Sequence, residues 1–173
     1  MGDIATLKNM LTDIIGRKKN NIIEFKSELN NLKKQNNRNI FICIKLFNNT
    51  IMKICETVLD NVKSDLFLIT YSKTLDELIK TEPGNIIMVF IKNIYSINEY
   101  RNNIKVGNEQ FFINENFKNA EVDKIFQFKK VWKILKLDTK DYIKKAMKTL
   151  LNISEQFIKL KADEEDLNKM EKI

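Results

Sequence analysis

The chain has no histidine, a single proline, four glycines and two cysteines among its 173 residues. Without imidazole, Ser-His-Asp triads and histidine-bearing zinc sites are excluded. With only Pro83 and four glycines, the turn chemistry that sandwiches and barrels need at every hairpin is missing, so the sequence predicts an all-helical fold. Cys43 and Cys55 on one continuous helix would lie about 18 Å apart, beyond the reach of a disulfide. They read as core thiols in a reducing compartment. There is no GxxxxGKS/T loop, no GxGxxG and no CxxC, so no cofactor is expected. The longest apolar run, Ile86 to Ile91, stops at Lys92-Asn93, well short of the roughly 20 residues that cross a bilayer. It predicts a buried helix. The opening Met1-Gly2-Asp3 leads straight into an amphipathic pattern, without the basic, apolar and small-residue pattern of a leader, so an intracellular protein is expected. Gly2 with Ala5-Thr6 loosely matches a myristoylation signal, although Asp3 sits beside the glycine.

The residues present describe a folding chain: 43% hydrophobic and 31% charged, with a net charge of +7. That balance is too apolar for disorder, and the length suits one domain spanning 1–173. Abundant Ile, Lys and Asn reflect an AT-rich coding sequence, and the sequons at Asn48 and Asn152 are chance matches inside helices.

Apolar residues Ile4, Leu7, Leu11, Ile15, Ile22, Phe25, Leu29 and Leu32 predict one long amphipathic helix, or two joined near Gly16. A polar break at Lys33–Arg38 is expected next. A central helix then buries Phe41, Ile44, Phe47, Ile51, Ile54, Cys55, Val58 and Leu59. The stretch from Asp65 to Leu78 is helix or a short extended piece, with Thr74-Leu75-Asp76-Glu77 resembling a helix start. Pro83-Gly84 should start a helix that runs past Asn98 to Arg101-Asn102-Asn103, with a turn at Val106-Gly107-Asn108. Phe111 to Phe117 reads as an aromatic link whose phenylalanines plug the core. A helix from Ala120 to Leu137 places Phe128, Val131, Trp132 and Leu135 on one face. Asp138, with Asp141 three residues on, would cap a last helix burying Ile143, Ala146, Leu150, Ile153, Phe157 and Leu160. Lys161–Asp166 is almost wholly polar, so residues 161–173 should project or fray.

Charge is concentrated in one place. Residues 124–148 hold nine lysines against Asp138 and Asp141, which equals the net charge of the whole chain. On an ideal helix Lys129, Lys133 and Lys136 fall within about 60° of one another, opposite the Trp132 face. With Lys140, Lys144 and Lys148 they form a candidate phosphate-binding stripe, largely indifferent to base sequence because arginine is scarce there. The bland reading is a solvated face. Trp132 and Tyr142 could offer a stacking platform, but their apolar-face positions favour the core. The carboxylates Asp163, Glu164, Glu165 and Asp166 point around a helix and do not converge as a two-metal or glycosidase site requires. Glu99 and Glu109 have no evident partner in sequence.

The segments FFINENF (Phe111–Phe117) and IFQFKKVWKILKLDTKDYIKKAMKTLLNIS (Ile125–Ser154) resemble a group of small helical proteins of nucleocytoplasmic large DNA viruses. In these a phenylalanine-rich link precedes a tryptophan-bearing helix, a charged break and a long apolar helix. Tyr142 fills the place of an aromatic residue common after that break. The resemblance implies a viral origin, and the group carries no assigned activity. Three functions are therefore expected, in order. The first is a non-enzymatic helical bundle acting through viral or host protein partners, as a virion component or assembly factor in the host cytoplasm or the particle. The second is a nucleic-acid-associated protein using the lysines. The third is a host-signalling antagonist with a groove for a partner's helix. An oligomer is compatible with all three.

Overall fold

A computed structural model describes residues 3–17, 22–62, 66–114 and 131–172. Every regular element among them is helical and none is a strand, so the fold is an all-α bundle with long helices toward both ends of the chain. The elements are α1 (Ile4–Arg17), α2 (Ile22–Asn61), α3 (Leu66–Thr81), α4 (Asn85–Phe90), a π turn (Ile91–Tyr95), α5 (Asn98–Val106), α6 (Glu109–Asn114), a 3-10 turn (Trp132–Ile134) and α7 (Leu137–Glu171). Two compact units are distinguished: Met1–Cys43 with Gln156–Ile173, and Ile44–Glu155.

In the first unit, α1 begins where the Asp3 carboxylate accepts the backbone N–H and the hydroxyl of Thr6, both at 2.8 Å. These bonds satisfy an orphan donor of the first turn and hold the Asp3 carboxyl below its usual value. The Asp3 and Thr6 of the myristoylation-like opening thus have a capping role. Gly16 lies within α1, which is described to Arg17, and α2 is described from Ile22, so the junction expected near Gly16 falls outside the described residues. The polar break at Lys33–Arg38 is absent, because α2 runs through it for 40 residues. Its polar groups find partners: Asn36, 7% exposed, donates its amide to the Leu160 carbonyl at 3.0 Å, and Lys33 pairs with Glu171.

Residues 161–173 do not project through the described range. Here α7 continues to Glu171 and buries Leu167 and Met170 in a core with Leu7, Phe25 and Leu29. Ile4, Met10, Leu11, Ile14 and Leu32 pack around this core. The acidic run is spent on exposed pairs, Lys8–Asp166 at 3.2 Å and Lys161–Glu164 at 2.9 Å, each worth about 1 kcal/mol or less.

In the second unit, α2 turns Phe47, Ile51, Ile54 and Val58 inward. Phe47 meets the Phe90 ring edge-on at 5.2 Å. From Leu66 the ambiguous stretch is helix α3, and Thr74 lies in its interior with its hydroxyl on the Thr70 carbonyl, while Asp65 lies outside the described residues. Asn48 is buried and donates its amide to the Pro83 carbonyl at 2.8 Å, while its own side-chain oxygen has no partner. Such a buried acceptor costs about 1–3 kcal/mol.

The helix expected to run past Asn98 divides instead. After α4 a π turn carries the chain to Ser96, and Ile97 takes an extended conformation before α5. The turn at Gly107 is where the sequence placed it. Gly107 has φ 65°, and Asn108 N–H bonds the Asn103 carbonyl at 3.0 Å, a left-handed helix stop that glycine alone adopts cheaply. Phe111 and Phe112 are buried as expected, on helix α6 and not on a link. Phe117, Phe128 and the expected helix before residue 131 lie outside the described residues.

Cys43 is buried and Cys55 half-buried on α2, both as free thiols. Burial pushes the Cys55 thiol up to about 12.

Candidate basic surface at residues 131–148

Val131, Trp132 and Leu135 are buried, at 7%, 1% and 5% exposure, as the sequence expects, but not on an α-helix. Trp132–Ile134 is a single 3-10 turn, and Leu135 is extended at ψ 143°. Two side chains, Trp132 and Asn61, hold this geometry. The Trp132 ring stacks on Phe112 at 5.1 Å and 6°, and its indole N–H donates to the Glu109 carboxylate at 2.7 Å. The Asn61 side-chain oxygen Oδ1, at the end of α2, accepts the Lys136 backbone N–H at 2.9 Å. The Asn61 amide donates to the Thr139 hydroxyl at 2.9 Å and the Thr57 carbonyl at 3.0 Å.

Asn61 therefore supports the start of α7 from outside. The helix begins at Leu137, so Asp138 sits in its first turn instead of capping it, with its carboxylate on the Thr139 N–H at 2.8 Å. Asp141, expected as the capping-box partner, is exposed one turn on.

The six candidate lysines are only partly brought together. Lys129 lies outside the described residues. Lys133 and Lys136 are exposed but sit on the 3-10 turn and the extended link, so the 60° helical stripe does not form there. Lys140, Lys144 and Lys148 recur every fourth residue of α7 and span about 80° of its circumference.

Lys140 and Lys144 are half-buried. The Lys140 ammonium lies 5.8 Å from the Trp132 ring centroid, and a Cβ at Gly107 would meet the Lys144 stem at 3.6 Å. The indole hydrogen bond lowers the Glu109 carboxyl below its usual value, and Lys144 and Lys140 reinforce this. Lys53 stands 5.9 Å from the Tyr142 ring. Trp132 is thus a core residue and not an open stacking platform.

All ion pairs among the described residues lie elsewhere, leaving Lys133, Lys136, Lys140, Lys144, Lys145 and Lys148 without a carboxylate within 4 Å. Beside them, Ile134 and Leu137 are 61% and 74% exposed. Neither was marked by the sequence, which treated 131–137 as helix. Asn61 and Glu109 carried no signal either, because their partners lie 75 and 23 residues away.

A second surface differs from the sequence expectation. Phe41 was expected inside, yet it is 64% exposed, with Ile42 at 51% and Ile23 at 86%. The inward positions are Ile40, Cys43 and Phe47. Eighteen residues are five full turns, so Ile23 and Phe41 share one azimuth, facing away from the buried side.

Among the described residues no three His, Cys, Asp or Glu side chains gather as a metal site, and no helix is long and apolar enough to cross a membrane. No protein-family model, curated protein or solved structure matches the chain.

Proposed function

We propose that the protein is a non-enzymatic helical binding protein that works through protein contacts, as a virion component or assembly factor of a large DNA virus. The viral part of this reading rests on the resemblance of residues 111–154. The observation that carries the binding part is the outward face of α2. Ile23, Phe41 and Ile42 are exposed on a helix whose opposite side already fills the core. Apolar residues on both sides of a helix are characteristic of one covered all round.

A photo-crosslinking residue at Phe41 should capture a discrete partner in infected cells, and Phe41→Asp with Ile42→Asp should abolish co-purification without loss of helicity. Purified particles should contain the protein at high copy if it is a virion component. Its absence from particles would leave the assembly role, and an unchanged partner profile in the double variant would refute the α2 surface.

A second reading is phosphate binding, favoured by Lys133, Lys136, Lys140, Lys144, Lys145 and Lys148, which form no ion pair among the described residues. Duplex DNA binding should then fall steeply with salt, and Lys133→Glu with Lys136→Glu should abolish it. Salt-independent binding, or binding unchanged in that variant, would rule the lysines out.

A further inference from the structure

Residues Lys133 to Leu137 combine features that neither a solvated face nor a nucleic-acid groove explains. Val131, Trp132, Leu135 and Thr139 are buried, so the intervening Lys133, Ile134, Lys136 and Leu137 are turned to solvent. The turn cannot readily fold its apolar residues inward. Trp132 is pinned by Phe112 and Glu109, and the Lys136 N–H is held by Asn61. The result is a clamped turn presenting two aliphatic side chains, each flanked by a lysine.

The next turns of α7 continue the same surface. Relative to Leu137, Lys144 and Lys148 lie within about 20° around the helix, and at 1.5 Å per residue they are about 10 and 16 Å along it. The carboxylates beside them are Asp138 and Asp141 on α7, both exposed, and Glu109, which feels the Lys144 and Lys140 charges.

We propose that this surface docks on an anionic lipid membrane. Ile134 and Leu137 enter the boundary between headgroups and acyl chains, while Lys133, Lys136, Lys144 and Lys148 lie against lipid phosphates. The inference rests on the phosphate reading of the lysines and assigns the phosphates to lipid. A nucleic-acid backbone has nothing apolar to receive Ile134 and Leu137, whereas a bilayer surface offers charge and hydrocarbon at adjacent depths. The chemistry also departs from a protein hot spot, since the exposed residues are aliphatic and lysine, without the tryptophan, tyrosine and arginine that anchor such interfaces. Lysine suits a diffuse anionic surface because it acts as a point charge and needs no bidentate partner.

The test is co-sedimentation of the full chain with phosphatidylcholine vesicles, with and without phosphatidylserine, alongside binding to a mixed-sequence DNA duplex. Wild type should bind only the phosphatidylserine vesicles, more weakly as salt rises. Ile134→Ser with Leu137→Ser should weaken this by about tenfold or more and leave any duplex binding unchanged. Lys133→Glu with Lys136→Glu should cost more than about 25-fold, at about fivefold for each lysine removed from an anionic surface. Because all four positions are exposed, both variants should keep the helical signal and urea midpoint of wild type. Vesicle binding undiminished in the serine variant would overturn the proposal. Binding to duplex without binding to vesicles would overturn it while sparing the phosphate reading, and binding to neither would overturn both.

Discussion

Leu167→Ala separates a packed helix end from a frayed one by a margin that ordinary measurements resolve. Leu167 is 1% exposed and sits among Leu7, Phe25, Leu29 and Met170. Truncation to alanine removes three carbons, a transfer loss of about 2.4 kcal/mol at about 0.8 kcal/mol per methylene. The cavity left behind raises this into the range of about 2.7–5 kcal/mol seen for buried leucines. A frayed, solvated end would give a change within about 0.5 kcal/mol, as surface substitutions do. With a urea slope of about 2 kcal/mol/M for a chain of this size, the packed case moves the unfolding midpoint by about 1.4–2.5 M. Lys169→Ala is the control, since Lys169 is 70% exposed on the same turn and forms only a loose pair with Glu165 at 3.5 Å. Urea titration followed by far-ultraviolet circular dichroism reads both variants. Amide exchange should show residues 161–171 protected in wild type and opened in Leu167→Ala. A midpoint shift in Leu167→Ala no larger than in Lys169→Ala would refute the packing of this helix end.

Two further perturbations test the clamp under the basic surface. Trp132→Phe keeps the ring on Phe112 but removes the indole donor, so the Glu109 carboxyl should return toward its ordinary value near 4.5. The folded value is depressed, so the stabilisation is present above the unfolded value and is lost as pH falls through the folded one. Carboxyl NMR titration should show the wild-type midpoint below that of the variant, and equal midpoints would remove the assigned hydrogen bond. Asn61→Ala deletes the acceptor for the Lys136 N–H and the donor to Thr139, which should cost about 1–3 kcal/mol by urea denaturation. Asn61→Asp, which keeps an acceptor, should recover part of the loss.

The helical class and most of the core were legible because apolar spacing of three and four residues is a local signal, read correctly for Phe47, Ile51, Ile54 and Val58 and from Ile143 to Phe157. What escaped depended on remote partners or on ambiguous faces. Lys33 and Asn36 lie in a run that is polar by composition, and their partners, the Glu171 carboxylate and the Leu160 carbonyl, lie 138 and 124 residues away. From Ile40 to Phe47 every residue but Lys45 is apolar, so periodicity cannot choose which side faces in, and Phe41 was placed wrongly. Val131, Trp132 and Leu135 have helical spacing and are all buried, but a 3-10 turn and an extended residue bury the same three side chains. The choice was made by Glu109 and Asn61, and the expected lysine stripe depended on it. In the polar end of α7, Leu167 and Met170 are two apolar residues three apart, too short a pattern to announce a core.

The first unit is assembled from opposite ends of the chain, Met1–Cys43 and Gln156–Ile173, and this bears on how it is made. During translation Leu7, Phe25 and Leu29 leave the ribosome long before Leu167 and Met170, and the buried amide of Asn36 waits 124 residues for its acceptor. At about 5–20 residues per second that delay is about 6–25 s. Throughout it the N-terminal helices carry an uncovered apolar face. The nascent chain thus depends on α7 to close over α1 and the start of α2, and a ribosome stalled within α7 would leave that face open to chaperones or to its neighbours.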